Sequence, residues 1–99
     1  MSVKPSAKEF LNNIVNEMID VLMALLRSQK LAYYKNENLR GYTYQLLLDI
    51  LRNLIFIQKE IANISDEEAK ELIREIGFVA TDLKRIFGNL AIVIEDYLK

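Results

Sequence analysis

The sequence contains no cysteine, no histidine and no tryptophan, one proline and three glycines. Without cysteine there are no disulfides, no thiolate metal sites and no thiol nucleophile. Without histidine there is no Ser-His-Asp triad, no histidine-ligated zinc and no HExxH helix. The Glu-x-x-His pairs of carboxylate-bridged di-iron bundles are missing as well. Long apolar runs are also lacking, so no stretch of about 18 residues suits a membrane span. Lys4 and Lys8 are not followed by a continuous apolar segment, because Asn12, Asn13, Asn16, Glu17 and Asp20 interrupt it. A cytoplasmic protein is therefore expected, with no cofactor, no metal and no membrane partner.

Neither charge sign dominates. Charged residues make up 27% of the 99 residues and the formal net charge is −1. No overall positive field exists to collect phosphates. Hydrophobic residues reach 52%, which excludes a disordered chain and supplies the core of one domain.

The apolar residues follow helical spacing throughout. Ser6 and Glu9 form a capping box after Pro5. Phe10, Leu11, Ile14, Val15, Met18, Ile19, Leu22, Leu25 and Leu26 then recur at three- and four-residue steps, predicting a helix over about 6–35. The segment 35–41 holds the first turn, where Asn36 or Asn38 can cap the next helix, the start at Asn38 being preferred. An alternative extends helix one to Arg40, places Gly41 after its end and caps helix two with Thr43.

Helix two is predicted over about 39–62. Within it the run Leu46 to Ile57, LLLDILRNLIFI, is apolar around most of the cylinder. Asp49 and Arg52 within it fall on one narrow stripe with Gln45, Lys59 and Asn63 outside it, and that stripe also carries Phe56. A helix apolar on most sides must be covered on most sides, so this run reads as the central helix. Its core line is Leu39, Tyr42, Leu46, Ile50, Leu54, Ile57 and Ile61, with Tyr44, Leu47, Leu48, Leu51 and Ile55 beside it.

Ser65 with Glu68 makes a second capping box, and Asp66, Glu67, Glu68 and Glu71 suit the positive end of a helix dipole. Helix three is predicted as continuous over about 66–98. Gly77 and Gly88 lie inside it, each costing up to about 1 kcal/mol against alanine. One explanation is a stripe with Thr81 and Ala91 that admits a neighbouring backbone. The other is a break at Gly88-Asn89, leaving a short fourth helix from about Leu90.

The expected fold class is all-α, an up-down-up three-helix bundle of long antiparallel helices, dimerising into a larger bundle. The apolar surplus of helix two, with Phe56, Phe78 and Ile92 among polar neighbours, suggests a patch covered in use. The expected function is that of a non-enzymatic helical interaction or scaffolding protein, a self-associating accessory subunit whose partner is a second copy or another protein. The expected contacts are Leu47, Leu48, Leu51, Ile55, Phe56, Gly77, Phe78, Gly88 and Ile92.

Residues 27–44 carry a local charge of +3, leaving −4 on the rest of the chain. Arg27, Lys30, Lys35 and Arg40 interleave there with Tyr33, Tyr34, Tyr42 and Tyr44, a composition that can track a nucleic-acid backbone and stack bases. The alternative function is thus a nucleic-acid-binding accessory subunit using Arg27, Lys30, Tyr33, Tyr34, Lys35, Arg40 and Tyr44. The simpler expectation is that the tyrosines plug one end of the bundle while the cations are solvated or pair with Glu95 and Asp96, which a three-helix layout brings to that end. Two other clusters read as ordinary helix surface. These are the carboxylates Glu67, Glu68, Glu71 and Glu75, and the pair Asp49–Arg52, which would be buried only if helix two were covered on its polar side.

Overall fold

The computed structural model describes residues 4–27 and 37–99, the side chains of 37–43 excepted. Among these residues it contains five α-helices, not three. They are α1 (Ala7–Arg27), α2 (Glu37–Glu60), α3 (Asp66–Asp82), α4 (Lys84–Phe87) and α5 (Asn89–Leu98), with a 3-10 turn, Ile61–Asn63, between α2 and α3. The domain is an all-α helical bundle, but the three-helix layout expected from the sequence is overturned.

The correction lies in the C-terminal third. Leu83 leaves helical geometry at φ −110°, ψ 43°, which ends α3 after Asp82. The single turn α4 follows and stops at Gly88, where φ is +51° and ψ −117°. A side chain strongly disfavours that left-handed backbone, whereas glycine adopts it without a Cβ clash. Phe87, 3% exposed, anchors the corner in the core. The chain then reverses, and α5 packs back along α3 with Ala91 and Ile94 buried. The short helix from Gly88-Asn89 is the arrangement adopted, and the continuous helix is not.

Four contacts fix the helix directions. The Lys8 backbone N–H donates to Asp66 Oδ1 at 3.3 Å, and Lys8 Nζ reaches the Ala62 carbonyl at 3.4 Å. The start of α1, the end of α2 and the start of α3 therefore share one end of the bundle. Tyr97 brings the end of α5 to the same place, donating its hydroxyl to the Pro5 carbonyl at 2.8 Å and stacking on Phe10. The long helices run up, down, up and down. The C-terminus sits beside the N-terminus, so Glu95 and Asp96 lie at the opposite end from the α1 C-terminus at Arg27.

The starts of α1 and α3 follow their predicted caps, whereas α2 begins at Glu37 and takes in Asn38, the residue expected to cap it. Ser6 Oγ accepts from the Glu9 backbone N–H at 3.2 Å, and α1 begins at Ala7. Ser65 and Glu68 form a complete reciprocal box at the start of α3. At the first turn, α2 already runs through Gly41, which removes the reading with Gly41 as a helix stop.

The centre of the bundle is α1, not α2. Ala7, Leu11, Ile14, Val15, Met18, Ile19 and Leu22 are all buried, because α2 packs on one side of α1 while α3 and the returning α5 cover the rest of its apolar face. Along α2 from Tyr44 onward only Leu47 and Leu54 are buried. Of the core line expected for this helix, Ile50, Ile57 and Ile61 are half-buried. The fold-back of α5 supplies the apolar cover that the three-helix reading assigned to α2, and α2 is left at the edge.

Candidate functional site

The described residues assemble no catalytic-looking constellation. Every buried side chain is hydrophobic, and no group of three or more carboxylates among them is placed to hold a metal ion. The Glu67–Glu75 run is solvated helix surface, with Lys70 bridging Glu67 at 3.6 Å and Arg74 bridging Glu71. Asp49 and Arg52 approach to 3.9 Å on the exposed side of α2, so they are a surface pair and not a buried one. Such exposed pairs contribute about 0–1 kcal/mol. No helix among the described residues is long and apolar enough to cross a membrane.

What remains is apolar surface: Phe78 is exposed on α3, and Ile92, Val93 and Leu98 on α5, while Tyr44 and Phe56 are exposed on α2. One flank of this helix faces a groove. Both α2 and α3 pack on α1, but they only brush each other, and the gap between them has a volume of about 280 Å³. Met18 of α1 forms its floor. Ile50, Leu54 and Ile57 make one wall, and Leu72, Ile76 and Val79 the other. Phe56, Asn53 and Glu75 stand at its mouth. Phe56 is 65% exposed.

The other flank carries Tyr44, Leu48, Leu51 and Ile55, separated by steps of four, three and four. That spacing places them on one stripe, as in a coiled-coil seam. Leu51 and Ile55 lean on the core, whereas Leu48 is half-buried outside the core cluster and Tyr44 is exposed. No charged residue interrupts this stripe.

The contacts expected from the sequence therefore do not form one patch. Leu48, Leu51 and Ile55 share the outer flank of α2, while Phe56 belongs to the groove. Phe78 is 73% exposed on the outer face of α3 and Ile92 is 52% exposed on α5. Leu47 is buried in the chain's own core and leaves the set. Gly77 leaves it as well, because a Cβ there would come 3.0 Å from Ile94 Cγ2, so the close neighbour is the chain's own α5. Gly88 makes the α4–α5 corner and has open space around it.

Of the basic and aromatic set, Lys30, Tyr33, Tyr34 and Lys35 lie outside the described residues, as does the side chain of Arg40. Arg27 and Tyr44 are exposed. The expected pairing of this end with Glu95 and Asp96 is corrected by the fold-back of α5. The groove was missed by sequence reasoning. Its walls were visible as apolar lines, but the divergence of α2 from α3 had no local signal.

Compared with protein-family models, curated proteins and solved structures, the chain matches none.

Proposed function

We propose that this chain is a non-enzymatic helical interaction protein, an accessory or scaffolding subunit that self-associates through the outer flank of α2. The observation that carries this reading is the mismatch between the composition of α2 and its cover. The most apolar stretch of the sequence sits at the edge of the bundle with only Leu47 and Leu54 buried. The stripe Tyr44, Leu48, Leu51 and Ile55 has seam spacing and no charge, so two copies meet there without like-charge repulsion. Full burial of a Leu or Ile side chain contributes about 1.5–3 kcal/mol. Two copies contribute the stripe twice, which is the self-complementary arrangement of a two-fold dimer.

Sedimentation equilibrium across a dilution series, from about 100 μM to about 1 μM, tests this. The expected mass is twice that of the chain at the upper end and falls on dilution. Tyr44→Lys combined with Leu48→Lys, two positions outside the core cluster, is expected to give the single-chain mass throughout with an unchanged helical spectrum. A wild-type chain of single mass at every concentration overturns the reading.

A further inference from the structure

We infer that the groove between α2 and α3 is a docking site for one amphipathic helix of another protein, apolar on the inserted face and lined with Lys or Arg along both edges. This goes beyond self-association and does not depend on it, because the groove opens on the opposite flank of α2.

The shape selects a helix. Both walls are helical, and α2 and α3 run antiparallel. The α2 wall from Ile50 to Ile57 spans two turns, roughly 10 Å at 1.5 Å per residue. That length receives two or three side chains spaced i, i+3 or i+4, and i+7, as helix-in-groove recognition requires. A compact small molecule fits the site poorly. Its volume of about 280 Å³ lies just below the about 300–1,000 Å³ range of ligand pockets, and its polar lining residues, Asn53 and Glu75, are both at the mouth.

Charge selects the occupant. On α3, Glu68 and Glu71 precede Glu75 by seven and four residues and Asp82 follows it by seven, so all share one stripe above the apolar wall. On α2, Asp49 and Glu60 stand in the same relation to Asn53. Arg52 and Arg74 are each bridged to one acid of these banks, Asp49 and Glu71, and no cation among the described residues lines the groove, so its mouth is net negative. A second copy seated by this same face would set acidic banks against acidic banks, which electrostatic complementarity disfavours. Basic edges around an apolar ridge satisfy both the floor and the banks.

The test uses the full chain and two synthetic helical peptides that share an apolar ridge of Leu and Phe. One carries Lys and Arg on both edges and its twin carries Glu. Fluorescence anisotropy gives affinity, and amide chemical shifts locate the contact. The basic peptide is expected to bind at least about tenfold more tightly than the twin, and to weaken as salt rises from about 0.05 M to about 0.5 M. Shifts are expected to centre on Ile50–Ile57 and Leu72–Val79. Glu75→Lys, an exposed position that leaves the fold intact, is expected to weaken the basic peptide about tenfold while leaving the oligomeric mass unchanged. Four results overturn the inference. They are no binding of either peptide, equal binding of both, shifts centred on Tyr44 and Leu48, and a change of mass in Glu75→Lys, which would make the groove a self-interface. Repeating the titration with Tyr44→Lys, Leu48→Lys separates the two readings, since loss of self-association there is expected to leave peptide binding intact.

Discussion

Phe10 and Tyr97, at opposite ends of the chain, stack with ring centroids 3.9 Å apart and an interplanar angle of 7°. Lys4 Nζ lies 4.6 Å from the centre of the Tyr97 ring, and the Tyr97 hydroxyl reaches the Pro5 carbonyl. These contacts hold α5 against the start of α1 and close the up-down-up-down path. Tyr97→Ala is expected to destabilise the fold by about 2 kcal/mol, combining lost ring stacking with a lost hydrogen bond. Tyr97→Phe removes only the hydrogen bond, which is exposed, and is expected to cost about 0.5 kcal/mol. Denaturant unfolding checks both. Hydrogen exchange in Tyr97→Ala is expected to rise first across Asn89–Leu98.

Gly77 is where α3 admits α5. In an exposed helix, Gly→Ala gains about 1 kcal/mol. Here the new methyl would press on Ile94, which is 1% exposed and has little room to yield. Gly77→Ala is therefore expected to gain nothing. Gly77→Leu is expected to cost about 1–3 kcal/mol by overpacking. A stabilised Gly77→Ala in thermal or denaturant unfolding would show that α5 does not pack as described.

Gly88 is required for its backbone and not for space. Any Cβ at φ +51° is strained although nothing lies within 4 Å of it. Gly88→Ala is expected to lower stability by about 1–2 kcal/mol, with the loss read in chemical denaturation.

Adjacent leucines on α2 are expected to behave oppositely. Leu47 is fully buried, and Leu47→Ala is expected to cost about 2–5 kcal/mol. Leu48→Ala is expected to cost under about 1 kcal/mol in the monomer while weakening self-association. Unfolding at a concentration low enough to dissociate the dimer, paired with sedimentation at high concentration, separates the two effects. Equal costs at both sites would mean that α2 is rotated from the orientation described.

Much of the fold was legible because its signals are local. The apolar spacing of Leu11, Ile14, Val15, Met18 and Leu22 marked the buried face of α1, and the Ser65–Glu68 box marked the start of α3. The break before α5 was harder to read. Apolar residues continue at helical steps through Leu83, Ile86, Leu90 and Ile94, so periodicity carries across the turn. Gly88 admits a reversal without demanding one, and the decision comes from Phe87 and Ile94 finding the core on the folded-back side. The identity of the central helix was misread for a related reason. The run Leu46 to Ile57 is apolar around most of its cylinder, but burial depends on which neighbours arrive, and α3 and α5 both arrived at α1. That same displacement opened the groove, whose mouth residues Asn53 and Glu75 lie 22 positions apart in sequence with no local link.

Cross-linking through introduced thiols tests the central claim most directly, because the chain has no cysteine of its own. With Leu48→Cys at a concentration that favours the dimer, mild oxidation is expected to give a covalent dimer in high yield. Phe78→Cys and Ile92→Cys, more exposed than Leu48 but away from the outer flank of α2, are expected to stay single chains under the same conditions. Efficient cross-linking at Phe78 or Ile92, with none at Leu48, would contradict the account.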